Sequence, residues 1–331
     1  MSHEPSRRDF LTRSTGLIAA MTVLGPAGES GAAASARTEP APQLPRRALG
    51  RTGLEVSALA FGCGRFFQTL PDGAWEPLVE RALALGVNYF DEASGYAFDS
   101  SKPHSETRIG QVLKGRRASL HVCSKVDERD PEKAKRELEG ILTRLQTDYL
   151  DVLMVHAVRA DETDPSAIDA GIYAQLRRWK EQGVARHIGF STMMTDGPLI
   201  RRYVEALRPE VMCVAFNATK FGNVAEHVLP AAIERNVGVF AMKMLRDIVG
   251  KSPATAGDLV AYGWRPGVSA VLVGHSTVGE LEENARVVAR LAHGQGPASR
   301  LATEQHVAHL ATRDALSWAR LDYRDHAGPR A

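Results

Sequence analysis

A chain of 331 residues with 44% hydrophobic and 24% charged side chains can bury a large core, as one big domain or two ordinary ones, and has the composition of a soluble globular protein. Its 41 basic residues are nearly matched by 39 acidic ones, for a net charge of +2. No basic block follows the first residues, which excludes an electrostatic footprint for nucleic acid or an anionic membrane. The three cysteines, Cys63, Cys123 and Cys213, stand far apart beside small or apolar neighbours, so they read as small buried hydrophobes and form neither a disulfide framework nor a metal site.

The chain opens with Ser6-Arg7-Arg8-Asp9-Phe10-Leu11, a mildly apolar run from about Gly16 to Leu24, and small residues ending in Ala32-Ala33-Ala34-Ser35-Ala36. A charged start, a short apolar stretch and an A-x-A-like end predict a cleaved export peptide over residues 1–36, and the run is too short for a stable membrane span. The paired arginines before Phe-Leu resemble the twin-arginine (Tat) export signal. That resemblance implies the Tat machinery as a partner and a periplasmic destination. The Pro-rich stretch 37–45, RTEPAPQLP, predicts a linker.

From 46 to 56, RRALGRTGLEV predicts a β-hairpin turning at Gly50 to Gly53. Strand-like apolar runs follow at 58–61, 87–90, 120–122, 150–155, 187–190, 211–216, 237–242 and 268–273. Between them lie helix-like stretches at 75–85, 105–114, 131–145, 167–182, 198–207, 225–235, 256–262 and 278–291. Alternating units of this kind predict an α/β domain over residues 46–331: a parallel sheet closed into a (β/α)8 TIM barrel, with the hairpin plugging its bottom and a last amphipathic helix over 302–320. An open doubly wound sheet would want G-x-G-x-x-G after its first strand, and Gly62-Cys63-Gly64 is too short a match.

Three of the apolar runs end in ionisable residues: Asp91 after the second, Lys125 after the third and His156 after the fourth. Singly, each has a structural explanation, as a turn-forming carboxylate, a solvated cation or a core histidine, and Tyr96 alone reads as a packed ring with a wet hydroxyl. The C-terminal strand ends of a barrel converge on one mouth, where these four could meet. A phenol titrates near ~10 in water and protonates a carbonyl oxygen poorly unless a nearby cation favours its phenolate. Lys125 can be that cation, Asp91 can hold it charged and aimed, and His156 can donate to the same oxygen. Such a site supplies a proton and no electrons, so a hydride must come from a cofactor.

The segments GVNYFDEASGY, HSETRIGQVLKG, SKV, LMVHAV, WKEQGVARHIGFST and VSAVLVGHSTVGELEEN, in order across residues 45–292, resemble the aldo-keto reductase superfamily. The resemblance implies a nicotinamide-dependent oxidoreductase acting on an aldehyde, a ketone or the corresponding alcohol. It casts Tyr96 as general acid, Lys125 as the cation that lowers its pKa, Asp91 as the lysine's partner and His156 as the orienting group. It implies that Ser191, Thr192 and Asn217 hold the nicotinamide carboxamide, that Met242 stands where an aromatic ring usually stacks, with Lys243 beside it, and that His275, Ser276, Glu283 and Asn284 serve the nucleotide end. The family's usual partners for the 2′-phosphate of NADP(H) fall on Gly274 and Glu280. NADP(H) is the expected cofactor, with NAD(H) the alternative because a carboxylate repels that phosphate. The loop 97–103 beside the acid is long and polar, and a monomer is expected.

Two other readings compete. A metal-dependent barrel hydrolase needs several His, Asp or Glu ligands around one ion, and Gly62-Cys63-Gly64 stands where its first His-x-His would fall. A barrel that keeps its cofactor permanently, as a redox sensor or partner-binding protein, would use the same fold without turnover.

Overall fold

Two short antiparallel strands, β1 (Arg46–Ala48) and β2 (Glu55–Ser57), form the predicted hairpin, with Arg46 opposite Ser57. Its turn reaches the starts of two later strands: Arg51 Nη1 donates to Arg235 O at 2.7 Å, and Nη2 donates to Arg208 O and Pro209 O at 2.8 Å each. Leu49, fully buried, packs so closely on Gly238 that a Cβ there would lie 2.6 Å from Leu49 Cδ1. The hairpin therefore closes the end of the barrel at which the strands begin.

The computed structural model describes residues 42–296 and 299–323, within a compact unit that spans residues 40–331. The expected export peptide, and the first part of the expected linker, lie outside the described residues. Eight parallel strands follow the hairpin: β3 (Leu59–Gly62), β4 (Tyr89–Asp91), β5 (His121–Val126), β6 (Leu150–Val158), β7 (Ala185–Thr192), β8 (Val211–Ala215), β9 (Gly238–Met242) and β10 (Ala270–Val273). They pair in chain order, and β10 returns to β3, closing the barrel. Each is covered by helices outside and by packed side chains inside, which is why the strands read as continuous apolar runs.

The interior is filled by Leu49 and Val56 of the hairpin region with inward residues such as Ala60, Cys123, Met154 and Cys213. Tyr89 and Phe240 stack across it with ring centroids 4.2 Å apart. All three cysteines are free and buried, and two of them fill this interior. The outer helices carry their own stop and start signals. Asp130 caps Pro131–Leu145 through Lys133 N, and Thr277 with Glu280 forms a capping box on Val278–Ala292.

Two helices expected as single elements are broken. The stretch 167–182 is a turn of helix at Pro165–Ile168, a wider turn at Asp169–Tyr173 and a helix at Ala174–Glu181, with Gly171 at non-helical angles between them. Glycine tolerates that conformation where other residues resist it. The tail expected as one helix over 302–320 is a helix only at Arg300–Val307, followed by short 3-10 turns at Ala308–Leu310 and Ser317–Ala319. Local side-chain bonds win over helix continuation: Thr312 Oγ1 accepts from Ala315 N, and Asp247 Oδ2 accepts from both the N and the Oγ of Ser317. The one-turn helix Arg65–Gln68 after β3 is too short for periodicity to reveal.

Candidate active site

Side chains alternate along a strand, so a residue two places beyond an interior position faces the same way. Tyr89, Cys123, Met154, Cys213 and Phe240 fill the barrel. Asp91, Lys125, His156 and Met242 follow Tyr89, Cys123, Met154 and Phe240 by two and crown the same column at the mouth. Strand register thus brings Asp91, Lys125 and His156 together, the turn after β4 adds Tyr96, and all four line one cavity.

Lys125 is 2% exposed, and its Nζ donates to Asp91 Oδ2 at 2.6 Å and to Glu92 O at 2.6 Å. Burial alone would lower its pKa; the Asp91 carboxylate overrides this and holds the ammonium above the usual lysine value. The same ammonium sits 5.4 Å from the centre of the Tyr96 ring, and the His156 ring stands edge-on to that ring at 6.0 Å. His156 Nδ1 lies 3.0 Å from Asp127 Oδ1, in ionic contact though off the line of a ring hydrogen bond. The loop that carries Asp127 is pinned by Glu137, which accepts from Asp127 N and Glu128 N and is bonded by Ser94 Oγ.

Glu92 faces away from the cavity and is fully buried. Burial first, then the nearby Glu106 carboxylate, pushes its carboxyl well above the usual range; Ser105 Oγ donates to it at 2.9 Å. Neither Glu92 nor Asp127 was singled out from sequence. Asp127 had a legible signal, two residues beyond Lys125 in SKVD, whereas Glu92 is simply the neighbour of Asp91 on the opposite face.

Ser191, Met242 and Lys243 line the same cavity. Ser191 Oγ accepts from Ala157 N at 2.9 Å. Thr192 and Asn217 also make bonds within the protein. Thr192 Oγ1 donates to Val158 O and accepts from Met194 N, and the Asn217 amide accepts from Thr219 and donates to Lys243 O at 3.1 Å. Asn217 thereby fixes Lys243, which holds the left-handed conformation at φ 61°; strain of this kind persists where surrounding structure enforces it. His275, Ser276, Glu283 and Asn284 lie outside the cavity, in the connection after β10 and on the helix that follows. Asn284 and His275 are buried against each other at 3.1 Å between Nδ2 and Nε2, while Glu283 is exposed.

Glycines keep room for a ligand. A Cβ at Gly64 would stand 3.6 Å from the Tyr96 ring, and one at Gly274 would stand 3.5 Å from both Gly62 O and the Phe66 ring. A narrow cradle bounded by backbone, with Ser191 and Met242 beneath it, fits a flat nicotinamide ring next to Tyr96. Among the described residues no group of three or more His, Cys, Asp or Glu could hold a metal ion. No helix among them is long and apolar enough to cross a membrane.

The Aldo/keto reductase family model matches residues 58–247. The L-galactose dehydrogenase of Arabidopsis thaliana is 26% identical over 298 residues, covering 74% of this chain and 88% of that protein. The oxidoreductase YqkF of Bacillus subtilis is 26% identical over 208 residues, 59% of this chain, and the match spans only 63% of YqkF. A solved aldo-keto reductase-like structure from Pseudomonas aeruginosa superposes with a TM-score of 0.62 at 27% identity, over 76% of this chain and 97% of that one.

Burial lowers the His275 pKa to about 3, from an ordinary value near ~6.5. A depressed folded-state value means that the neutral ring favours folding: the contribution is complete above about pH 6.5 and is lost as pH falls toward 3. Between pH 7 and 4.5 the unfolding free energy from urea titration should therefore drop by roughly 2 kcal/mol more in the wild type than in His275→Asn. Parallel losses in the two proteins would contradict this.

Proposed function

We infer that this chain, which belongs to the Aldo/keto reductase family, reduces an aldehyde or ketone, or oxidises the matching alcohol, at the cavity above Lys125. Members of this family are oxidoreductases that use NAD(P)H. The observation that carries the reading is the buried Lys125 ammonium, fixed by Asp91 and the Glu92 carbonyl and set against the face of Tyr96.

A bound nicotinamide would lie in the glycine-bounded cradle over Ser191 and Met242 and supply the hydride. The rest is the work of this chain. Tyr96 delivers its hydroxyl proton to the carbonyl oxygen, and the Lys125 charge stabilises the phenolate left behind. Asp91 keeps that charge in place at 2.6 Å, where desolvation would otherwise favour neutral lysine. His156 lines the same cavity, its ring edge-on to Tyr96 at 6.0 Å. The Asp127 carboxylate, 3.0 Å from Nδ1, orients the ring. In the alcohol-oxidising direction each proton moves the other way.

For the cofactor, this reading favours NAD(H) over NADP(H). Glu280 Oε2 accepts from Ser276 N at 2.7 Å and Thr277 N at 3.3 Å, at the start of the helix Val278–Ala292. Those N–H groups are the natural partners for an anion, and the protein's own carboxylate already occupies them. A 2′-phosphate arriving there would meet a like charge. One chain supplies every group used here, which supports action as a monomer.

Export through the Tat machinery to the periplasm remains part of the proposal, on the strength of residues 6–11 and the small residues that follow. Cell fractionation decides it: Arg7→Lys with Arg8→Lys should trap the full chain in the cytoplasm, and unchanged distribution would end that part of the reading.

The direct test is Tyr96→Phe. It should cut kcat by about 10²–10⁴-fold while the fluorescence titration still shows NADH binding, tighter than NADPH, as in the wild type. Wild-type turnover in the variant would remove the mechanism, and tighter NADPH binding would remove the cofactor assignment.

A further inference from the structure

The active-site cavity carries more positive charge than the mechanism uses. Besides the paired Lys125 and Asp91 and the ring of His156, the charged side chains that line it are Arg65, Lys243 and Arg246, all cationic. Two of these are engaged by the tail: Arg246 Nη1 donates to the Tyr323 hydroxyl at 2.7 Å, and Lys243 Nζ lies 5.5 Å from the centre of the Tyr323 ring. Arg65 is exposed and forms no ion pair with any described residue. The carboxylates of its own neighbourhood are committed elsewhere. Asp99 is bonded by Ser101 and stands 3.9 Å from Lys102, and Asp72 stands 3.6 Å from Arg108.

The Arg65 guanidinium is nevertheless placed. Its carbon lies 4.6 Å from the centre of the Phe98 ring, and that ring tilts against Tyr96 with centroids 5.7 Å apart. Two fully buried side chains hold the elements that carry these groups. Gln68, at the end of the one-turn helix Arg65–Gln68, donates from Nε2 to Asp99 O at 3.0 Å and Pro103 O at 3.2 Å, and its Oε1 accepts from Asp99 N at 2.9 Å. Arg108 donates to Phe67 O and Leu70 O at 2.7 Å each. The helix and the loop 97–103 therefore form one wall, and the guanidinium stands one aromatic ring away from the phenol. Where Arg108 spends its donors on backbone carbonyls, Arg65 rests on a ring face, which leaves its fork of N–H groups for a ligand. That planar fork matches the two oxygens of a carboxylate.

We propose that Arg65 selects a substrate with a carboxylate remote from its carbonyl, an aldehydo or keto acid or the matching hydroxy acid, by pairing with that carboxylate while the carbonyl lies at Tyr96. The proposal rests on the reductase reading for its carbonyl end. Asp91 is the one carboxylate that lines the cavity, and it is held by Lys125, so an anionic substrate meets no unpaired like charge there.

The test uses two nearly isosteric alcohols, 4-(hydroxymethyl)benzoate and 4-(hydroxymethyl)benzamide, of which only the first is charged at neutral pH. Each is titrated calorimetrically into the chain loaded with NADH, where no hydride transfer to an alcohol can occur. The wild type should bind the benzoate roughly fivefold more tightly than the benzamide at an ionic strength of about 0.05 M. Arg65→Gln should bring the two to equal affinity and leave the binding of NADH and of the benzamide unchanged. Raising the ionic strength to about 0.5 M should shrink the wild-type preference, because the pair is exposed to salt. That arm needs no variant and decides the matter if Arg65→Gln does not fold. Equal wild-type affinities, a preference that survives Arg65→Gln or is indifferent to salt, or no binding of either compound at about 10 mM would each overturn the proposal. Because binding is read without turnover, a chain that prefers the benzoate as expected yet reduces no aldehyde sinks the reductase reading and leaves the Arg65 assignment standing, whereas a chain that reduces aldehydes but shows no such preference does the reverse.

Discussion

The site depends on one buried ion pair. Taking an ammonium and a carboxylate out of water costs several kcal/mol per ion, and the protein recovers this only where geometry is tight and the remaining hydrogen-bonding capacity is met. Lys125 meets both conditions through Asp91 Oδ2 and Glu92 O, each at 2.6 Å. The result is a fixed positive charge, 2% exposed, under a phenol. A hydrophobic replacement of the pair could be as stable or more so, so its presence is best explained by the chemistry it makes available.

The barrel exists, from this viewpoint, to hold that charge rigid. Its interior is a packed column from Leu49 of the hairpin region up to Tyr89, Cys123, Met154 and Phe240, and the ionic residues sit one step above on the same inward faces. Glu92, next after β4, supplies its backbone carbonyl to Lys125, while burial pushes its own carboxyl well above the usual range. The mouth is closed on one side by a tail that abandons helix in favour of bonds to Asp247 and Arg246. Left-handed backbone at Lys243 and Asp247 marks the loop after β9 where this closure is built.

Much of this was legible in the sequence, for a physical reason. Parallel strands buried on both faces leave continuous apolar runs, and a charge that ends such a run stands out, as Asp91, Lys125 and His156 do. The hairpin was legible through its glycines. What escaped reading has a different physical character. Asn217 reads as a ligand-binding amide, and the sequence does not show that its side chain also accepts from Thr219 and donates to Lys243 O, bonds set by tertiary contacts. Thr192 is likewise committed to Val158 O and Met194 N. The tail carries an amphipathic pattern that Thr312 and Asp247 override, and Asp127 acquires its place beside His156 only when β5 and β6 pair.

The central claim is that the Lys125 charge acts on Tyr96 during hydride transfer and is not simply structural. Single-turnover transfer from pre-bound NADH to an aldehyde, followed by the loss of reduced-cofactor absorbance in wild type and Lys125→Met, tests it most directly. The account predicts a variant that folds and binds NADH as before but transfers hydride at least about a hundredfold more slowly. A Lys125→Met protein that transfers hydride at the wild-type rate would show that the buried ion pair serves the fold alone.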